Sequence, residues 1–535
     1  MQATLSTIDI AIVLAFFILV VCVGMYVSRK HKGSAEDYFL AGRSMRWPLI
    51  GGALFASNIS STTLIGLSGD AYATGISVYN YEWFAAIILI FFCVFMLPFV
   101  IKAQVYTMPE YLERRYDNRV RLYFASLTLF LNIMVEMSGA LYAGSLVVQM
   151  VLPNFSTFEI IAILAVLATA YTAVGGLSAV MVAEVMQAVV LIVGSIILSY
   201  IAFDKIGGVG ALFEQVPAEK LSLIRPLNDA GVPWLGLVTG VPLLGFYFWC
   251  TNQFMVQRVL TAKTEMDGRK GALMAGFLKL TVLFIMVLPG TAAIILYPNL
   301  ERPDLVYPTL LFDLMPIGLL GLVFAGFMAA LMSAIEATLS SASTMVTMDL
   351  VKHFRPDLSS KAQIKCGKIA IIFIMIIAVA WAPNVALFPS LFKYLQIVLA
   401  YAVPPSVTMF LFGAFWKRAN SKGAFAVMVV GVLAGIGLFL INEVFNEELN
   451  EAFGIPHLHF LYVAPILVAL CSVVMVVVSL GAKQPVPENI GEYVWSPAFF
   501  HEETALLKGV AWYDNYRIWS VILFIITVSI VAYFA

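Results

Sequence analysis

Apolar residues along the chain gather into fourteen continuous runs: 8–28, 47–68, 78–101, 122–150, 157–175, 181–203, 233–256, 271–297, 314–350, 369–382, 386–415, 423–441, 459–480 and 516–534. A helix needs about 20 mostly apolar residues to cross a bilayer. The runs do not alternate in polarity, as barrel strands would over about 10 residues. The ninth is too long for one crossing and is expected to continue past the membrane. This pattern predicts an all-α polytopic membrane protein with about 14 transmembrane helices.

Composition sharpens that expectation. Of 535 residues, 61% are hydrophobic and 12% charged, with a mean hydropathy of +0.93. A soluble chain is about 45–50% apolar and about 25% charged. The net charge of −1 gives no bulk attraction to nucleic acid, and no nucleic-acid partner is expected. Five scattered cysteines without a C-x-x-C pair suggest neither a disulfide framework nor a zinc site. The N-terminus lacks the basic start of a cleaved signal peptide.

Basic residues then orient the chain, because cytoplasmic loops are enriched in Lys and Arg. With the N-terminus outside, the cytoplasmic loops hold 25 Lys/Arg and the outer loops four, namely Lys205, Lys220, Arg225 and Arg302. Arg258 counts with the loop 258–270. Fourteen crossings put the C-terminus outside as well, extracellular or periplasmic, for a protein of the cell (plasma or inner) membrane. The stretches 204–232 and 481–515 read as connecting loops.

Ionisable side chains within a bilayer are costly and usually line a pathway. Glu82, Glu136, Glu184, Lys279 and Glu336 fall in separate spans, Glu184 near a cytoplasmic helix end. The second span is crowded with small, hydroxyl and amide residues over Gly51–Thr63, and the seventh is disturbed over Gly245–Gln253. Such side chains compete with helical backbone bonding, and a broken span is tolerable where it lines a cavity. The two lie five spans apart, as two inverted five-helix repeats would place them. The histidines fall in loops or at span ends, and no metalloprotease or nucleophile motif lies in a span. A transporter is therefore expected rather than an enzyme or channel.

Several short motifs occur in order along the chain. They are Glu36-Asp-Tyr-Phe-Leu-Ala-Gly-Arg43, Ala56-Ser-Asn-Ile-Ser60, Tyr81-Glu-Trp83, Tyr106-Thr-Met-Pro-Glu-Tyr111, Gly175-Gly-Leu-Ser-Ala179, Trp249 through Arg258, Phe277-Leu-Lys-Leu280, Thr347-Met-Asp349 and Phe415-Trp-Lys-Arg418. With these the chain resembles the sodium/solute symporter family, closest to its sodium/glucose cotransporter branch. The resemblance implies a leucine-transporter-like fold of inverted five-helix repeats. The leading helix and loop would be 1–46, the first repeat 47–203, an extracellular loop 204–232, the second repeat 233–422, and the trailing helices 423–535. It further implies alternating access, with sodium as coupling ion, no other cofactor, and import of a sugar or related polyhydroxy solute.

By the same resemblance, Thr63, Tyr81, Glu82, Phe248, Trp249, Lys279 and Gln396 are expected at the solute site. Sodium is expected at the carbonyls of Ala56, Ile59 and Ala330 and the hydroxyl of Ser333, with Glu184 on the ion pathway. Ala334 stands where the family has a second hydroxyl. Thr63, Ala85, Gly245 and Phe248 also depart from the family pattern, which leaves open an inositol, another polyol, or a bulkier sugar filling space beside Gly245. A proton-coupled or non-sugar transporter of the same fold is the alternative. Its candidate proton sites are Glu136 and Glu336, and Glu336 is expected to meet Glu136 or another polar helix face.

Overall fold

The computed structural model describes residues 4–28, 34–388, 390–482 and 484–535, without the side chains of 28, 170–176, 488, 489 and 506. Arg29, Lys30, Lys32 and Lys483, which entered the charge count, lie outside the described residues. Among those described there is no strand, and the long apolar runs have all become helices.

The spans are α1 (Thr7–Ser28), α2a (Trp47–Asn58) with α2b (Ser61–Thr74), α3 (Ile76–Lys102), α4 (Asn118–Val151), α5 (Thr157–Thr169), α6 (Leu177–Ile206) and α7 (Trp234–Thr251). There follow α8 (Glu265–Leu296), α9 (Leu319–Phe354), α10 (Ser360–Leu387), α11a (Leu391–Ala402) with α11b (Pro404–Phe415), α12 (Ser421–Val444), α13 (Phe460–Gly481) and α14 (Tyr516–Tyr533). Each run predicted to span has a counterpart. The ninth does extend beyond a crossing: its 36 residues amount to about 54 Å of helix.

The expected turn at 176–180 needs correction. Helical hydrogen bonding continues over Thr157–Ile206, and residues 177–180 belong to α6. Leu164 and Leu331 both flank Gly144, and Leu191 lies against Gly326. Positions 326 and 331 are only about 7.5 Å apart along α9, whereas 164 and 191 would be about 40 Å apart on a straight helix, so the path from Leu164 to Leu191 is not straight.

Small residues bring the central helices together. A Cβ on Gly51 of α2a would meet the Gly271 carbonyl of α8 at 2.8 Å, and one on Gly271 would meet Ile50 at 2.6 Å. Without a hydrophobic drive between helices in lipid, such close backbone approach supplies the association energy. The same approach sets α2a against α8, with Gly52 against Val185 of α6.

The second span bends by 57° at its break, as its polar crowding predicts. A second bend, of 56° between α11a and α11b, was drawn from sequence as one uninterrupted run. Its signal was present in Pro404-Pro405, since proline removes a backbone donor and clashes with the preceding turn.

Candidate functional site

The break in α2 is made by its own side chains. Ile59 leaves helical geometry at φ −82°, ψ 87°. Thr63 Oγ1 donates to the Asn58 carbonyl at 2.7 Å, and Ser60 Oγ accepts from the Thr63 N–H at 3.3 Å, capping α2b. The Ser60 N–H turns to the Asn58 carbonyl at 3.1 Å instead of continuing the helix. The carbonyls of Ala56 and Ile59 are left without a backbone donor among the described residues.

In α7 the last turn widens over Tyr247–Thr251, and the Asn252 N–H reaches back five residues to the Tyr247 carbonyl at 2.8 Å. Asn252 is extended, and its side chain caps the short helix Gln253–Leu260. A second wide turn, Asn132–Met137, lies in α4. Wide turns also precede Pro98 and Pro289, where a missing N–H accounts for them, and two more occur without proline at Val346–Val351 and Leu440–Val444. The turns in α4 and α7 contain no proline, and both aim side chains into one cavity.

That cavity lies beside the break in α2, with Ser57, Asn58 and Ser60 of the break in its wall. Thr63, Tyr81, Glu82, Phe248, Trp249, Lys279 and Gln396 all line it. Six spans contribute to the wall, so residues up to 342 positions apart in sequence converge there.

Glu82 and Lys279 form an ion pair, and the Lys279 ammonium also donates to Asn58 Oδ1. The same ammonium lies 5.9 Å from the Trp249 ring centre, within cation–π reach. Phe248 meets Trp249 edge-on at 5.3 Å, and Tyr81 meets Phe392 edge-on at 5.2 Å. The wall thus combines fixed donors and acceptors with apolar ring faces.

Gly245 also lines the cavity, and a Cβ in its place would meet the Ile88 Cδ1 at 2.3 Å, whereas Ala85 is buried outside the lining. Asn58 was missed as a cavity residue, although an amide among small residues in mid-span marked it.

The residues expected at a sodium site belong to three segments around the break. α9 packs against both halves of α2. Ser333 of α9 is buried, and its hydroxyl has no hydrogen-bond partner. Ala334 brings no hydroxyl. Thr338, the nearest hydroxyl one turn on, is committed to the Ala334 carbonyl at 2.8 Å.

Beyond the cavity lies a second, closed ion pair. Glu184 accepts from Arg258 at 2.5 Å and from Ser57 Oγ at 3.1 Å, and both charged side chains are wholly buried. Two sequence expectations are corrected here. Arg258 is no loop residue: it belongs to the helix Gln253–Leu260 and is buried. Glu184 is not at a watered helix end, because Arg258 closes over it. Of the two neighbours expected for Glu336, the structure brings it to another polar helix face: it is buried within electrostatic reach of Glu184 and Arg258, while Glu136 turns to the cavity.

The other motifs tie elements together away from the cavity. Thr107 caps a helix and donates to Asp349 at 2.7 Å, and Arg121 bonds the same carboxylate at 2.9 Å. Arg43 reaches the carbonyls of Gln104 and Val105.

Comparison with known proteins agrees with this architecture. A sodium/glucose cotransporter 4 from Danio rerio is 35% identical over 94% of this chain and 83% of its own length. A sodium/myo-inositol cotransporter 2 from Oryctolagus cuniculus is 35% identical over 92% of this chain and 80% of its own. Among solved structures, a Na⁺-coupled sialic acid symporter in a substrate-bound outward-open state superposes with a TM-score of 0.78 at 21% identity, covering 90% of this chain and 99% of that one. Mhp1, a nucleobase-cation-symport-1 family transporter in a closed conformation, superposes at 0.54 with 14% identity over 85% and 98%. These two fix the fold as leucine-transporter-like. The model of the sodium:solute symporter family matches residues 38–431, and with most of the chain so covered the protein belongs to that family.

Proposed function

We propose that this protein is a sodium-coupled symporter that imports a sugar or related polyol, inositol included, by alternating access. The observation that carries the reading is the convergence of all seven expected solute residues on one cavity beside the break in α2. A carboxylate, an ammonium and two amides can accept from and donate to several hydroxyls at once. The ring faces of Trp249, Phe248 and Tyr81 suit the apolar faces of a ring solute. The curated relatives' names point to the same solutes.

The sodium site in this reading is formed by the Ala56, Ile59 and Ala330 carbonyls and the Ser333 hydroxyl. Sodium is a hard cation and takes neutral oxygens. The donorless carbonyls at the break and the unpartnered Ser333 hydroxyl support it. Without a hydroxyl at Ala334 the site is weaker than a five-oxygen one. Glu184 adds buried negative charge on the ion's path. Residues 47–203 and 233–422 act as the two repeats. The membrane is the cell membrane, and both termini face outward, a reading the distribution of basic residues supports.

The test is uptake of labelled glucose and myo-inositol into proteoliposomes. Uptake driven by an imposed sodium gradient at constant pH, and lost in Ser333→Ala, is the expected result. Sodium-independent uptake that follows a pH gradient and vanishes in Glu336→Gln would overturn it in favour of proton coupling. For the orientation, Lys361→Cys should resist an impermeant thiol reagent added to intact cells.

A further inference from the structure

The cavity wall carries one carboxylate more than its ammonium can neutralise. Its fixed charges are Glu82, Lys279 and Glu136. Glu82 and Lys279 are paired with each other, so their charges cancel. Glu136 stands apart on the wide turn of α4. Gly139, three residues on, packs against Thr62 and Leu395, which also line the cavity. The titratable groups within reach of Glu136 are the phenols of Tyr247 and Tyr394. No Lys, Arg or His among the described residues is paired with it, and Lys279 on the same wall is engaged by Glu82 and Asn58.

An unpaired carboxylate in a membrane-embedded cavity is costly unless a cation meets it. A neutral polyol would satisfy Glu82, Lys279 and Gln396 and leave Glu136 facing an uncharged solute. A solute carrying hydroxyls and a protonated amine would satisfy both walls. We propose that Glu136 is a specificity residue and that the preferred solute is an amine-bearing polyol, such as an amino sugar or amino-inositol, with its ammonium at Glu136. The proposal rests on the reading of this cavity as the solute site. A bound proton would also neutralise Glu136, yet it would need no place on the wall that receives the solute. That placement, beside Thr62, Leu395 and Gln396, favours the solute's own charge.

The test is competition in proteoliposomes under a sodium gradient, at mildly acidic pH where the amine of glucosamine is protonated. Glucose, glucosamine and N-acetylglucosamine are compared as competitors of whichever labelled sugar or inositol is taken up. The third probe keeps the nitrogen and removes its charge. In the wild type, glucosamine is expected to compete about tenfold better than glucose, as one charge-assisted hydrogen bond allows, and N-acetylglucosamine no better than glucose. In Glu136→Gln the ratio of inhibitory concentrations should collapse toward unity, and Glu136→Asp should keep part of the preference. A wild type that ranks glucose at or above glucosamine overturns the proposal, whatever the variant's folding. So does a Glu136→Gln protein that keeps the amine preference, or one whose only change is in the pH dependence of uptake. The last outcome assigns Glu136 to a proton. Sugar uptake without amine preference refutes this inference alone. Sodium-driven uptake of a solute with which none of the probes competes refutes the sugar reading as well.

Discussion

Consecutive residues at the end of α2a, Ser57 and Asn58, each hold a different buried ion pair. Asn58 accepts from Lys279, whose partner Glu82 lines the cavity. Ser57 donates to Glu184, whose partner Arg258 is sealed among helices. The first pair lies on the wall of the cavity and is free to exchange partners with whatever enters. The second has no exposed surface on either side chain, with Arg258 further fixed by the Phe254 carbonyl at 2.5 Å. A buried ion pair adds little net stability by itself, but removing one partner leaves an uncompensated charge. The closed pair is therefore a structural clamp on the broken helix, and the open pair a binding surface. Both pull on the same two residues, next to the donorless carbonyls of Ala56 and Ile59. A solute that reorders Lys279 and Asn58 thereby acts on the helix end that carries the sodium carbonyls.

The comparison is broken most forcefully at Arg258. Its replacement by Ala leaves Glu184 and Glu336 together in a dry site without a cation. The expected loss is about 3–5 kcal/mol of stability, read as a large fall in the melting temperature of the detergent-purified protein. An Arg258→Ala protein that melts like the wild type would show that water reaches Glu184, and the distinction between clamp and surface would fail.

Ser57→Ala is the intermediate case. It removes one hydrogen bond to a charged group, worth about 1.5–3 kcal/mol, and Arg258 remains to hold Glu184. Stability should fall by the lower end of that range. Sodium affinity, read from the sodium dependence of uptake, should weaken too, because the carbonyl end of α2a is no longer tethered.

How far these sites could be read from the chain depends on which contacts are local. The break in α2 was legible because Ser60 and Thr63 act on backbone within five residues of themselves. The solute residues were found through resemblance, and the cavity brings them together. Arg258 was misread because an arginine just beyond an apolar run looks like a loop residue. Only its contact with Glu184, 74 positions away, reveals a buried partner. The neighbour of Glu336 stayed open between Glu136 and another polar face, since helical rotation says where a side chain does not point and not which helix it meets. The bend at Val403 had its prolines in plain view, but the uninterrupted apolar run around them outweighed that signal.

The smallest change in stability, and the sharpest division between the two pairs, is expected for Glu82→Gln. The amide keeps the shape and one acceptor, and Lys279 retains Asn58 and the face of Trp249. Melting should shift less than in Ser57→Ala. Transport should behave oppositely: losing a charged acceptor for a solute hydroxyl costs about 1.5–3 kcal/mol of binding, roughly a 10- to 150-fold fall in apparent affinity. Stability and uptake thus rank the variants in different orders. Arg258→Ala is governed by folding, and Glu82→Gln is governed by solute. If Glu82→Gln instead melted as early as Arg258→Ala, the open pair would also be structural. If it took up solute with wild-type affinity, the carboxylate would have no part in binding, and the hydroxyl-reading role would fall to Gln396 and Asn58.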